Sequence, residues 1–363
     1  MTPTPAARAP LSLHDLTLAE LTGWVTRRGQ PPYRAKQVFH SLYQKGVAGP
    51  SAMSDLPKEL RELLAKEFSA PPPAVVQHQE SADGTSKWLF RLAAGQFVES
   101  VLIPVERHAR GEASSRRTVC LSTQVGCAYA CAFCASGMDG FQRNLSAGEI
   151  VQEVLAVNRS LQPARVTHIV FMGMGEPLAN YDNLLKAIRV LNDPEGLKIG
   201  ARKITISTVG LVPMIERLSK EGIQVELSIS LHAPNDELRG QIMPVNRRYP
   251  LAELIKACRA YVKATKRLIT FEYILMEGVN DAPAQARELA VLLKGLPCKV
   301  NLIPCHPIPG SPFTRPPMKR MLAFEGALRE KRIPCTLRRS RGLDIAGACG
   351  QLRLRHEERM VKS

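Results

Sequence analysis

The chain has 363 residues, 45% hydrophobic and 23% charged, enough apolar surface for one large domain core plus a small accessory one. Aromatic residues are only 5%, which argues against a base-stacking platform of the single-strand-binding type, and 49 Lys+Arg against 33 Asp+Glu leave a formal charge of +16. No apolar run approaches the roughly 20 residues of a membrane span, and the Ala/Pro-rich start holds no apolar signal core, so neither a membrane protein nor an exported one is expected.

In chain order, residues 1–11 are expected to be disordered. Residues 12–70 show helical periodicity in Leu16, Leu18, Leu21 and Val25, then Ala35, Val38, Phe39 and Leu42, then Leu56, Leu60, Leu63 and Leu64. Short helices broken by Gly and Pro predict a small helical accessory domain. Residues 71–104 read as a Pro-rich linker followed by a β-hairpin, with strands at 87–92 and 97–103 around Ala93-Ala94-Gly95-Gln96. From 105 to 333 the rhythm becomes strand–helix. Strands are predicted at 118–123, 166–172, 203–208, 224–230, 268–275 and 299–304. Helices fall near 146–159, 181–192, 211–220, 251–265, 281–294 and 317–331, with Ser146 and Glu149 at capping-box spacing. Residues 334–363 form a C-terminal strand and tail. Six βα repeats predict an α/β fold whose parallel sheet curls into a partial or complete barrel, with ligands at the carboxyl ends of its strands.

The segment after the first barrel strand carries Cys127, Cys131 and Cys134, spaced C-x3-C-x2-C with small Ala spacers. Three thiolates so close must curl round one centre. A four-iron cluster normally takes four cysteines, so three leave one iron open to chelate the amino and carboxyl groups of an amino acid. The competing reading is a structural zinc ion with Cys120 or a histidine as fourth ligand. Zinc sites more often pair C-x2-C knuckles, and no second knuckle exists here. Nine cysteines cannot all pair, and their clustering points to reduced thiols and metal binding in the cytoplasm. Basic residues concentrate at 107–117 and 338–355, near cysteines, which fits a nucleic-acid partner better than a membrane surface; the plainer reading is a solvated basic exterior.

Met172-Gly173-Met174-Gly175-Glu176-Pro177 closes the second barrel strand. Its glycines let backbone approach a ligand, and Glu176 is placed to accept hydrogen bonds from an ammonium group; an ordinary glycine-rich turn is the alternative. Ser207, Ser230, Leu231, His232 and Asn301 lie at later strand ends. Glu99 stands inside an otherwise apolar strand, where burial would raise its pKa towards that of a useful base, unless it faces outward. Cys120 and Cys349, taken alone, read as small buried residues, and Cys258, Cys298, Cys305 and Cys335 as packing residues. Met172, Met174 and Met276 read as core or cofactor-wall residues.

The cysteine spacing, with an aromatic before the last Cys, is the signature of the radical S-adenosylmethionine superfamily. From about Leu16 to Leu352 the chain closely resembles the RlmN/Cfr family of RNA adenine methyltransferases, its RlmN branch in particular. The landmarks are Ser122-Thr-Gln-Val-Gly-Cys127, Gly140-Phe-Gln-Arg-Asn-Leu145, Met172–Pro177, Ser230-Leu-His-Ala-Pro-Asn235, Asn301-Leu-Ile-Pro304 and Asp344-Ile-Ala-Gly-Ala-Cys349-Gly-Gln-Leu352. Ser136 departs from the usual Thr, and Ala346-Gly347 from a frequent Asp-Ala. The glycine–glutamate strand end and Asn301–Pro307 resemble the branch that methylates adenine C2 rather than the one that methylates C8.

The resemblance implies a radical SAM (β/α)6 barrel with one [4Fe-4S] cluster on Cys127, Cys131 and Cys134. It implies two molecules of S-adenosylmethionine per turnover, bound by Gly175, Glu176, Ser207, Ser230, Leu231, His232 and Asn301. It also implies methyl transfer to Cys349, a covalent protein–RNA link through that methyl carbon, proton removal by Glu99, and release by attack of Cys120 with a disulfide left behind. Implied partners are 23S rRNA, tRNA and an electron donor of the flavodoxin or ferredoxin class, acting on a cytoplasmic monomer. A zinc-stabilised RNA-binding protein without catalysis is the rival from another class.

Overall fold

The computed structural model describes residues 11–104, 115–308 and 310–352. The stretch 1–10, most of the basic run 107–117 and the end of the run 338–355 lie outside the described residues. Leu11, inside the stretch expected to be disordered, accepts a hydrogen bond from Ala70 N at 3.1 Å.

Three helices come first: α1 (Leu18–Thr26), α2 (Tyr33–Tyr43) and α3 (Lys58–Glu67). Thr17 starts α1 with a capping box, its hydroxyl accepting from Glu20 N while Glu20 accepts from Thr17 N at 2.8 Å. Leu21, Val25, Ala35, Val38, Phe39, Leu42, Leu60 and Leu64 are buried between these helices, as their periodicity predicts, whereas Leu16, Leu18 and Leu63 are only partly covered. The unit is tied to the barrel through Asp15, which accepts from Gly148 N at 2.6 Å, and through the Glu20–Lys186 ion pair at 2.7 Å.

Then follow β1 (Ala74–Glu80), β2 (Ser86–Arg91), β3 (Phe97–Pro104), β4 (Arg117–Cys120), β5 (Gln124–Gly126) and β6 (Phe141–Asn144). The rest is α4 (Ala147–Leu161), β7 (His168–Phe171), α5 (Tyr181–Asn192), β8 (Ile204–Thr208), α6 (Val212–Leu218), β9 (Glu226–Ser230), α7 (Asp236–Ile242), α8 (Leu251–Thr265), β10 (Ile269–Leu275), α9 (Pro283–Leu292), β11 (Cys298–Pro304), α10 (Met318–Glu330) and β12 (Cys335–Leu337). Ten strands form one sheet in the order β1-β2-β3-β4-β7-β8-β9-β10-β11-β12. From β4 to β12 every pairing is parallel; β1, β2 and β3 extend that sheet antiparallel from the β4 edge. Alternating strands and helices thus make a partial α/β barrel, and all six expected barrel strands are present.

One element goes beyond the sequence expectation. The linker expected before the hairpin includes β1, an edge strand whose Val75 and Val76 are exposed; without one buried face it has no period-2 signature. The strand expected in 334–363 is the short β12, parallel to β11. Beyond it the tail turns back across the open side of the sheet: Asp344 accepts from Ser81 Oγ at 2.6 Å and Asp83 from Gly342 N at 2.9 Å. Gly350 O then receives Ala135 N at 2.8 Å, which brings the tail onto the cysteine segment.

Candidate active site

At the carboxyl ends of the parallel strands lies a cavity of about 150 Å³. Leu121 still donates to Val170 O at 3.0 Å, but the chain then leaves the ladder, and β5 and β6 brace the cysteine segment between them. Cys127 N donates to Gly140 O at 3.0 Å, and Ala132 N to Ile242 O at 3.0 Å. So held, Cys127, Cys131 and Cys134 all line the cavity. Burial pushes the Cys127 thiol up to about 12, and raises Cys131 and Cys134 through burial first and then the neighbouring thiols. A cationic centre would invert that preference and hold them as thiolates.

The opposite lining comes from the next strand ends. At Gly173 a Cβ would lie 2.6 Å from Leu121 O, and at Gly175 (φ +97°) 2.5 Å from the Gln124 Cβ, so both glycines are required for β7 to close against the segment after β4. Gln124 Oε1 in turn accepts Glu176 N at 2.8 Å. The Glu176 carboxylate receives Leu178 N at 3.0 Å and Val209 N at 2.8 Å. Burial still pushes its pKa up to about 7; a cation beside it would favour the ionised form. His232 has φ +59° and lies edge-on to Phe133 with ring centroids 4.7 Å apart. Its Nδ1 faces Ile274 N at 3.0 Å, and burial followed by the charge of Arg239 lowers its pKa to about 3. It is therefore neutral, with the proton assigned to Nε2 by its partner.

Ser207, Ser230 and Cys349 complete the lining among the expected residues. Leu231 and Asn301 are not on the wall. Leu231 is fully buried and contributes backbone, its N–H donating to Glu272 O at 3.0 Å. Asn301 lies one layer below, donating to Glu272 Oε1 at 3.1 Å, and Glu272 itself reaches the cavity.

Cys120 sits under the site, 7% exposed, and Cys349 above it on the tail; both are free thiols. They are near enough that the charge of Cys349 is the second cause, after burial, raising the Cys120 pKa. Glu99 is buried, but it is not a lone acid as the sequence suggested. Lys87, also buried, lies 3.1 Å from its carboxylate and donates to Ala346 O at 3.4 Å, linking Glu99 to the tail that carries Cys349. Lys87 thus gives Glu99 a buried ammonium partner that the sequence reading did not include.

Sequence reasoning missed four contributors. Lys87 had a signal, since Lys87 pairs with Val101 and Leu89 with Glu99, placing both charges on one face of adjacent strands. Arg338 was read as the start of a surface basic run, yet its guanidinium turns inward and lies near Cys349, Glu272 and Cys120. Glu153, on the buried face of α4, accepts from Ser122 N at 3.2 Å and from Ser100 Oγ. Arg239 is 0% exposed and donates to the carbonyls of Val209, Ser230 and Leu231, tying together the ends of β8 and β9.

The donor chemistry fits the expected cofactors. Three thiols come from one segment, while the fourth cysteine of the cavity, Cys349, arrives on the tail and is engaged by Arg338. That set suits a four-iron cluster with one open iron, and Glu176 suits the ammonium of an amino acid held there.

Two family models match the chain: the radical SAM superfamily over residues 121–290 and a ribosomal RNA large subunit methyltransferase N-terminal domain over 11–69. A dual-specificity RNA methyltransferase RlmN of Syntrophobacter fumaroxidans is 48% identical over 94% of this chain and 98% of its own. A probable dual-specificity RNA methyltransferase RlmN of Geobacillus kaustophilus is 47% identical over 96% and 93%. The crystal structure of a radical SAM methyltransferase from Sphaerobacter thermophilus superposes with a TM-score of 0.89 at 51% identity, covering 95% of this chain and 99% of that one. The chain belongs to the RlmN family of radical S-adenosylmethionine methyltransferases.

Proposed function

We propose that the chain methylates C2 of an adenosine in the peptidyl-transferase region of 23S rRNA and of the adenosine 3′ of a tRNA anticodon, through a methyl group first placed on Cys349. Its family brings one [4Fe-4S] cluster and S-adenosylmethionine as cofactors. The observation that carries the reading is that Cys349 lines the same cavity as Cys127, Cys131 and Cys134 while lying close to buried Cys120. The dual-specificity names of the relatives and the N-terminal family match support the two RNA classes.

When bound, the reduced cluster and S-adenosylmethionine supply a carbon radical that abstracts hydrogen; adenine C2, an electron-poor ring carbon, does not accept a methyl group by ordinary transfer. Cys127, Cys131 and Cys134 hold the cluster. Glu176 and the backbone at Gly175 hold the methionine end of S-adenosylmethionine, with Ser207, Ser230, Leu231, His232 and Asn301 completing its site; Leu231 acts through backbone and Asn301 through Glu272. Arg338 stands beside the Cys349 thiol that takes the first methyl group. Once that methyl carbon is joined to C2 and the adduct radical has returned one electron to the bound cofactor, Glu99 removes the C2 proton; Cys120 then attacks the Cys349 sulfur, and the methylene carbon keeps the C–S electron pair and takes a proton to become methyl, freeing the RNA and leaving a disulfide for an external reductant. The helical unit at residues 12–70 grips folded RNA by shape and phosphates. The enzyme acts as a cytoplasmic monomer with an electron donor of the flavodoxin or ferredoxin class. Among the described residues no helix is long and apolar enough to cross a membrane.

Mass spectrometry of a modified RNA fragment tests the regiochemistry. A methyl group on C2 is expected, and one on C8 would place the chain with the other branch. Anaerobic purification should give a brown protein with about four irons per chain; a colourless zinc protein would overturn the catalytic reading.

A further inference from the structure

The opposite mouth of the barrel is hollow. In a closed (β/α)8 barrel, branched apolar side chains fill the interior in layers, and the amino-terminal face serves stability. Here the amino ends of the parallel strands enclose a cavity of about 730 Å³, against about 150 Å³ at the active site. Its inner wall is polar, with Thr118 from β4, Thr205 from β8, Ser228 from β9 and Thr270 from β10 where a packed barrel would place Val, Ile or Leu. The hollow interior is thus written into the strand sequences.

Its rim is cationic. Arg116, Arg202, Lys203, Lys266 and Lys299 stand exposed where the strands begin, and all line the cavity. Of the two acids in the lining, Glu226 is taken by an ion pair with Arg267, and Glu272 is bound deep inside by Asn301. Among the described residues, Arg202, Lys203, Lys266 and Lys299 have no carboxylate within ion-pair distance. Two further observations point to a ligand. The Arg267 Nε makes no hydrogen bond, leaving that guanidinium, already ion-paired to Glu226, with a donor to spare. Lys266 ends α8 at φ +57°, a left-handed position that glycine would take at lower cost, so a lysine is held at the rim against its backbone preference.

We propose that the rim of this cavity binds a small polyphosphate anion of the nucleotide class, at the mouth opposite the S-adenosylmethionine site, which the cavity meets only deep inside at Met172, Glu272 and Asn301. Several fixed cations converging on a water-accessible concavity are matched by adjacent phosphate groups rather than by a single carboxylate. The polar wall of threonine and serine hydroxyls suits the sugar of such a ligand. A concave, enclosed site selects a free anion over a folded RNA backbone, which needs an open surface. The inference does not rest on the methylation reading.

The test is calorimetric titration of the reconstituted full-length holoenzyme with inorganic tripolyphosphate, then with ATP, at low and at physiological salt. Binding is expected for both, weakening with salt and unaffected by saturating S-adenosylmethionine. The variant Lys203→Glu/Lys299→Glu should weaken binding by about tenfold or more, because two attractions become repulsions near the phosphates. It should leave the iron content unchanged. Should that variant misfold, Lys203→Gln/Lys299→Gln should still weaken binding by several-fold. Competition by S-adenosylmethionine, tripolyphosphate binding undiminished in both variants, or variants that lose affinity only for RNA while neither small anion binds, would each overturn the proposal.

Discussion

Arg239 offers a sharp test of how the fold builds the site. Its buried guanidinium donates to Leu231 O at 3.2 Å, Asn246 Oδ1 at 3.0 Å, Val209 O at 2.7 Å and Ser230 O at 3.2 Å. Asn246 passes the linkage on by donating to Asp236 O at 3.1 Å, beside the start of α7. The change Arg239→Lys keeps the charge but replaces a planar fork by one ammonium, which can serve about half of these acceptors. Hydrogen bonds to a charged donor contribute roughly 1.5–3 kcal/mol each, so losing two costs about 3–6 kcal/mol, part of it from carbonyls left buried without a donor. With a urea slope of about 3 kcal/mol/M, the unfolding midpoint should fall by about 1 M or more. Because Ser230 and Leu231 belong to the proposed S-adenosylmethionine site and Val209 N donates to Glu176 there, binding of that molecule should weaken by about tenfold in the protein that remains folded as these backbone groups shift. Urea unfolding under anaerobic, reducing conditions and equilibrium binding give the two readouts. An unchanged midpoint together with unchanged affinity would refute the reasoning.

Three further outcomes follow from particular groups. Burial pushes Glu153 up from 4.5 to about 8, against the hydrogen bonds from Ser100 and Ser122, so between those values the native state holds a proton that the unfolded chain has lost, and stability falls as pH rises through that window. Glu153→Gln should flatten that slope in urea unfolding followed from pH 5 to 8; an unaltered slope would show that the carboxyl is ionised in the native state. Gly175→Ala places a Cβ 2.5 Å from the Gln124 side chain and 2.8 Å from its backbone N, at a left-handed φ, so it should cost roughly 2–4 kcal/mol and weaken S-adenosylmethionine binding by displacing Gln124 from Glu176. Equal stability and affinity would argue against the close packing there. Cys120→Ala should accumulate a covalent protein–RNA adduct visible on a denaturing gel, and normal turnover would remove Cys120 from the reaction.

Much of this organisation was legible in the residues. The strands ending near Met172, Thr208, Ser230, Leu275 and Pro304 showed themselves as apolar or alternating segments between helical periods, and a parallel sheet puts those ends together whatever the details. Cys127, Cys131 and Cys134 were legible as a close trio from their spacing alone, and all three line one cavity. What escaped depends on tertiary neighbours. β1 lacks a buried face and so lacks a pattern. Arg338 and Lys87 look like surface cations until the tail folds over the open side of the sheet and encloses them with Cys349 and Glu99. Arg239 sits on a seven-residue helix too short to show periodicity, and its four acceptors are distant in sequence or belong to backbone. The hollow amino-terminal mouth was invisible because Thr and Ser at alternate strand positions read equally well as an outward face.

The central claim is that Cys349 carries the methyl group to the RNA. Incubating the anaerobic holoenzyme with S-adenosylmethionine labelled in its methyl group, without RNA, should put label on the peptide containing Cys349, and adding RNA should move that label to adenine C2. Cys349→Ala should take up no label and methylate no RNA. Label persisting on that variant, or methylated RNA formed by it, would contradict the account.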